Sequence, residues 1–397
     1  MEIQNNRAIE IEIKRRIAEK GKITFAEFMD LALYHPLHGY YCTPRSKIGP
    51  GGDFLTSPET HPAFGAMIAL QLEQMWRLLD RPGCFTVVEM GGGTGALCRT
   101  ILEYSRKTLP EFHEALEYVL VDRHDVVGED SQGKVRHILA SGVESPLQGI
   151  VGCFLSNELV DAFPVHKVAM EGGRLREVFV GGSEDGFGEV VDDLSTSELA
   201  GYFEALGLSL GEGYRVEVNL EGLRWMESVA GSLERGFVLT VDYGFPTEEL
   251  YSEPRRGGTL MCYYHHTYGH NPYVRVGRQD LTTHVDFTSL IRAGARRGLR
   301  FTGMVYQADF LSNLGLDGFV AAMSNAGLAP AVFYNNKFAV RRLAEAQGLG
   351  KFKVLVQHKG VVEPSLDCFN PCNDRKRTLI ARGTMPYVPL LAGGAKA

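Results

Sequence analysis

The stretch Val87-Val88-Glu89-Met90-Gly91-Gly92-Gly93-Thr94-Gly95-Ala96 constrains this chain more than any other. Two β-branched residues lead into an acid, a run of glycines follows, and Leu97 to Leu102 reads as the opening of a helix. The segment is therefore a strand, a tight turn and a helix N-terminus. Glycine is needed where φ is positive or where a ligand approaches the backbone closely. A helix start offers free N–H groups and a partial positive charge. A turn of this kind holds part of a nucleotide-like ligand.

The surrounding pattern extends that turn into a sheet. Strands are expected at 85–89, 117–121, 135–139, 152–156, 236–241, 301–306 and 352–358, with helical segments among them. Such alternation predicts an α/β fold with a mostly parallel, seven-stranded, Rossmann-like sheet. Ahead of it, Ile9, Ile13 and Ile17 fall at helical spacing. Thr24 with Glu27 reads as the N-cap and capping box of a second helix, through Leu33. A glycine- and aromatic-rich loop follows, from Tyr34 through Tyr40-Tyr41 to Asp53-Phe54. A loop of that length with those aromatics points to function. Ser57-Pro58-Glu59 then opens one helix expected to run through Phe64, Ile68, Leu72 and Trp76. Residues 165–192 carry two glycine turns between apolar runs and predict inserted hairpins. The organisation expected is an N-terminal helical and loop cap over the site (1–80), the first half of the core (81–164), an inserted hairpin and helical substrate region (165–235), the second half (236–360, with an insertion at 245–285) and a C-terminal extension (361–397).

Composition narrows the function classes. A net charge of −7 over 397 residues argues against a nucleic-acid partner, which selects a basic surface. No apolar run is long enough to span a bilayer, so no membrane partner is expected. The polar start, Met1 to Glu10, has neither a signal-peptide core nor the arginine-rich character of a transit peptide, which leaves the bacterial cytoplasm as the expected location. Seven scattered cysteines read as free thiols. Only Cys368 and Cys372 are close, and without a second pair no metal site is expected.

Two ligands compete for the turn. Gly91-x-Gly93-x-x-Ala96 fits the dinucleotide fingerprint. Glu89-x-Gly91-x-Gly93-x-Gly95 fits the turn that binds S-adenosylmethionine (SAM). A carboxylate at Glu89 would repel a pyrophosphate but tolerate the amino group of a methionine moiety. Asp122 ends the next strand, where an acid can bond ribose hydroxyls in either case, and its distance from the glycines exceeds the ~20 residues of the dinucleotide pattern. These neighbours lean toward SAM. The cofactor-binding candidates are Glu89, Gly91, Gly93, Gly95, Asp122, the adjoining Arg123, and Asn157. Asn157-Glu158-Leu159-Val160-Asp161 lies just past the fourth strand, at the end of the sheet where ligands of open α/β sheets bind.

The chain resembles the MidA-type SAM-dependent methyltransferases, a family that includes a mitochondrial complex I assembly factor which methylates an arginine. The resemblance is carried by His35-Pro36, Gly39-Tyr40-Tyr41, Gly52-Asp53-Phe54-x-Thr56-Ser57-Pro58-Glu59, Phe64-Gly65, the glycine turn, Asn157-Glu158-x-x-Asp161-Ala162-x-Pro164-Val165, Asp242-Tyr243-Gly244, Gly258-Thr259-Leu260 and Asp280-Leu281-Thr282-x-His284-Val285-Asp286-Phe287. Gly92 stands where family members commonly carry proline, and the loop after Leu260 and the tail beyond Gly360 look like additions. The resemblance implies a SAM-dependent methyltransferase acting on an arginine guanidinium of a protein substrate. The rival readings are a SAM-binding assembly factor without catalysis, and a methyltransferase of RNA or a small molecule.

A guanidinium, with a pKa of about 12.5–13.8, has no free nitrogen lone pair at neutral pH. A carboxylate must orient it and help its proton leave. The candidates for catalysis are Glu158 and Asp161, with Asp53 from the N-terminal loop and His284 from the later insertion. Tyr40, Tyr41 and Phe54 either face the cationic groups or pin the loop to the core.

Overall fold

The computed structural model describes residues 5–43, 55–123, 133–183, 186–265, 267–371 and 391. Asp53, Phe54 and Cys372 lie outside the described residues. The chain divides into two compact units. One comprises Met1–Leu55, Val160–Arg224 and Gly244–Arg292, the other Thr56–Leu159, Trp225–Tyr243 and Ala293–Ala397.

The second unit is built on a seven-stranded sheet. Its strands are β1 (Phe85–Met90), β2 (Leu116–Asp122), β3 (Val135–Leu139), β4 (Ile150–Asn157), β5 (Leu233–Asp242), β6 (Arg300–Tyr306) and β7 (Lys353–Lys359). They lie in the order β6-β7-β5-β4-β1-β2-β3. The five from β5 to β3 are mutually parallel, and β7 runs antiparallel to both β5 and β6. This is the mostly parallel, seven-stranded α/β sheet expected from the sequence. The central strands are buried nearly throughout, as strands covered on both faces must be. One face, through Val87, Cys153, Leu155, Leu239 and Val356, packs with Phe64, Ile68 and Leu72 of helix Ala63–Leu78 and with Leu97 and Ile101 of helix Ala96–Thr108. Strand order reverses between β1 and β4, so the carboxyl ends of these two strands border the crevice in which such sheets take ligands.

The helix expected to run unbroken from Ser57 to Trp76 is two helices, Ser57–Thr60 and Ala63–Leu78. Pro62 is the cause. A proline disfavours the helical region for the residue before it, and His61 is extended at φ −163°, ψ 140°. The break leaves Ser57–Thr60 as a separate turn.

The first unit holds an antiparallel sheet in which Arg174–Ser183 pairs with Ile23–Thr24, His166–Glu171 and Gly186–Asp192, and His166–Glu171 also pairs with Arg215–Val218. The hairpins expected at 165–192 are therefore present. Helices Arg7–Lys20 and Phe25–Tyr34 bury Ile9, Ile13, Ile17, Phe25 and Phe28 in a core with Val165 and Val180. Thr24 caps the second of them, its hydroxyl accepting from Glu27 N at 3.0 Å. Met261–Tyr264, Thr267–Gly269 and Asp280–Thr282 form a small separate sheet.

Candidate functional site

The glycine turn lies at the carboxyl end of β1. Gly91, Gly93 and Gly95 take φ of 75°, 55° and 71°, the left-handed region that makes three glycines necessary here. Gly95 is the N-cap of helix Ala96–Thr108, so the turn delivers that helix's first N–H groups to the crevice. At the end of β2, Asp122 Oδ2 accepts from Gly93 N at 3.0 Å, placing its carboxylate at the turn. Arg123 is turned aside, with its Nε donating to Ser141 O at 2.9 Å.

Glu89 lies beneath the turn. It is 4% exposed, and its Oε2 accepts from the Tyr118 hydroxyl of β2 at 2.6 Å. Burial pushes its carboxyl up to about 8, assisted by the nearby Asp122 and opposed by the Tyr118 hydrogen bond and by Arg99. The acid in the motif is thus a buried, hydrogen-bonded group under the strand end.

The ends of β4 and β1 are adjacent, since Ser156 pairs with Met90. A Cβ on Gly91 would stand 2.7 Å from Leu159 Cδ1, so the segment Asn157-Glu158-Leu159 passes against the glycine turn. Glu158 takes φ 51°, a costly conformation for a residue with a side chain, and its N–H donates to Val241 O at 2.9 Å. Glu158 Oε1 accepts from two groups, Asn157 Nδ2 at 2.9 Å and the backbone N–H of Ser57 at 3.3 Å. Ser57 opens the short helix left by the Pro62 break, and its hydroxyl donates to Gln307 Oε1 at 3.0 Å. Two residues further on, Glu59 Oε1 accepts from the Thr94 hydroxyl of the turn. The Thr56-Ser57-Pro58-Glu59 block therefore ties the glycine turn to the end of β4. Neither Ser57 nor Glu59 was singled out for a role from sequence. The signal available was the block itself, which carries part of the family resemblance and reads locally as a helix start.

Asp161 and His284 belong to the other unit. Asp161 is buried in the turn Val160–Ala162, and its carbonyl accepts from Thr283 N at 2.9 Å. The backbone N–H of His284 donates to Thr259 Oγ1 at 3.1 Å, and its ring packs on Phe245 at 5.2 Å between centroids. In the same unit Tyr34 OH donates to Ala162 O at 2.9 Å and Tyr41 OH to Asp280 Oδ1 at 2.8 Å, the two rings being stacked. Burial first, then Asp280, Tyr34 and Asp161, hold the Tyr41 phenol well above its ordinary range. Tyr40 is a core residue of this unit. These contacts pin the start of the loop to the core.

The residues fit SAM. Three left-handed glycines open the backbone, a helix N-terminus faces the same strand end, and an acid at the end of the next strand suits vicinal ribose hydroxyls. Sheet order, glycine turn and strand-end acids together define a methyltransferase of the Rossmann-like class.

The chain belongs to the family described as "Putative S-adenosyl-L-methionine-dependent methyltransferase", which matches residues 67–305. This is the MidA-type family to which the sequence blocks pointed. The chain is similar to a COG1565 superfamily protein of Burkholderia thailandensis solved bound to S-adenosyl-homocysteine, with a TM-score of 0.80 and 30% identity, covering 92% of this chain and 95% of that one. It is 29% identical to the Drosophila melanogaster protein arginine methyltransferase NDUFAF7 homolog, mitochondrial, over 90% of this chain and 86% of the relative. The human protein arginine methyltransferase NDUFAF7, mitochondrial, is 25% identical over 80% of this chain and 75% of that protein. The chain is a SAM-dependent methyltransferase.

Proposed function

We propose that this enzyme methylates an arginine guanidinium of a protein substrate and that Glu158 is the carboxylate that orients the acceptor nitrogen. The observation that carries this reading is the fixing of Glu158 at the carboxyl end of β4, by Ser57 N–H and Asn157 Nδ2, beside the glycine turn. The curated relatives whose names specify arginine methylation support the acceptor. SAM supplies an electrophilic methyl group on its sulfonium. The protein's part is to align the acceptor and keep the site dry. Gly91, Gly93 and Gly95 would clear the space for the cofactor, Asp122 would bond its ribose hydroxyls, and the N–H groups of the turn and helix would receive its carboxylate. Glu158, with one oxygen held by two donors, keeps a fixed direction toward a cationic donor group. It draws the guanidinium charge away from the attacking nitrogen and accepts its proton.

The test is amino-acid analysis of proteins labelled by the purified enzyme and methyl-tritiated SAM in an extract of cells lacking it. Recovery of the label as methylarginine is expected. Recovery only in RNA, or in material that passes a dialysis membrane, would overturn the acceptor assignment.

A further inference from the structure

We infer that Asn157 is a substrate-orienting residue whose side-chain oxygen receives an N–H of the guanidinium; this rests on the arginine reading above and names a second acceptor for the same group. Asn157 closes β4, pairs with Val241 of β5, and follows the Ser156 that pairs with Met90 at the start of the glycine turn. Its amide is oriented by one bond, Nδ2 donating to Glu158 Oε1 at 2.9 Å. A carboxylate can only accept, so the nitrogen must face Glu158 and the oxygen must be the other edge. That oxygen is buried and, among the described residues, has no hydrogen-bond partner. A buried acceptor left unsatisfied keeps its desolvation penalty uncompensated, and such exceptions call for a functional explanation. The neighbouring buried hydroxyls of Ser156 and Thr240 also lack side-chain partners, but a hydroxyl can rotate and either donate or accept. The Asn157 oxygen can only accept, and an N–H of a bound guanidinium would satisfy it.

The Asn157 oxygen and the Glu158 carboxylate are acceptors on consecutive side chains joined by a hydrogen bond. A guanidinium presents N–H donors in a fixed planar fork and suits two such acceptors better than a single ammonium does. The division of labour follows from their charges. Glu158 takes charge and proton, while the neutral oxygen of Asn157 fixes the plane of the group without competing for the proton.

Two synthetic ligands separate the possibilities in calorimetric titrations of the full chain. Both are 5′-deoxyadenosines with the same short alkyl arm at C5′, one tipped with guanidine and one with methyl, and S-adenosyl-homocysteine reports the cofactor site alone. Wild type should bind the guanidine-tipped compound at least tenfold more tightly than the methyl-tipped one. Asn157→Ala should bind S-adenosyl-homocysteine within twofold of wild type and lose most of the tenfold gain. Asn157→Leu, which matches the side chain in shape without its oxygen, should lose the gain likewise and serves should the alanine variant fail to fold. A gain undiminished in a folded Asn157→Ala or Asn157→Leu would overturn the role of the oxygen and leave the arginine reading standing. An equal loss of S-adenosyl-homocysteine affinity in Asn157→Ala would make Asn157 a cofactor contact instead. No gain in wild type would remove the arginine reading and this proposal together.

Discussion

The backbone N–H of Ser57 donates to Glu158 Oε1 across 3.3 Å, joining two segments 101 residues apart. Ser57 occupies the first turn of the short helix, where backbone N–H groups have no intrahelical acceptor. One of those orphan donors thus holds a carboxylate at the carboxyl end of β4.

Gly91 should tolerate no side chain. Its φ of 75° would strain an alanine by about 1–2 kcal/mol, and the new Cβ would press on Leu159 Cδ1. Gly91→Ala is expected to melt several degrees lower and to bind S-adenosyl-homocysteine at least tenfold more weakly by calorimetry. Unchanged affinity in the folded variant would remove the turn from the cofactor site.

Asp122 should act on the cofactor alone. A hydrogen bond to a charged group contributes roughly 1.5–3 kcal/mol, so Asp122→Ala is expected to weaken S-adenosyl-homocysteine binding about ten- to a hundredfold. The affinity of 5′-deoxyadenosine lacking the ribose hydroxyls should not change between wild type and variant, which distinguishes ribose bonding from a collapsed turn.

Glu89 should make stability fall as pH rises. Its carboxyl, ordinarily near 4.5, sits at about 8 in the folded protein because of burial. Between those two values the folded state holds a proton that the unfolded state has released, so unfolding free energy declines through that window, by at most about 5 kcal/mol. Urea denaturation from pH 5 to 8 should show this decline in wild type and a flatter profile in Glu89→Gln. Parallel profiles would mean that the Glu89–Tyr118 pair is ionised throughout.

His61 should give the opposite trend in acid. Its Nδ1 accepts from Ala63 N at 2.9 Å, so Nε2 carries the proton and donates to Asn336 Oδ1 at 2.8 Å. Burial lowers its pKa to about 4, from 6.5. As pH falls from 6.5 to 4 the unfolded chain takes up a proton that the folded chain refuses, and up to about 3 kcal/mol is lost. His61→Gln should remove that component, as measured by denaturation midpoints at pH 7, 5.5 and 4.

Much of this was legible in the sequence because it was local. The glycine turn, the seven strands and the Thr24 cap each depend on residues a few positions apart; Thr24 Oγ1 indeed accepts from Glu27 N. Glu89 illustrates the limit. Its place in the motif was visible, but its partner Tyr118 lies on the neighbouring strand, and pairing register is set by tertiary packing. Ser57 and Glu59 were hidden for a similar reason, since their acceptor and donor, Glu158 and Thr94, are brought near only by the closed fold. The Pro62 break was readable in principle: the residue before a proline is driven out of the helical region, and the apolar spacing on either side masked it.

The most direct test of the central claim, that Glu158 orients the acceptor and receives its proton, is tritium transfer from SAM to protein arginine by Glu158→Gln. The variant keeps an oxygen for Ser57 N–H and should bind S-adenosyl-homocysteine within about twofold of wild type, with methyl transfer reduced by about 10²–10⁴. Transfer within a few-fold of wild type by that variant would contradict the claim.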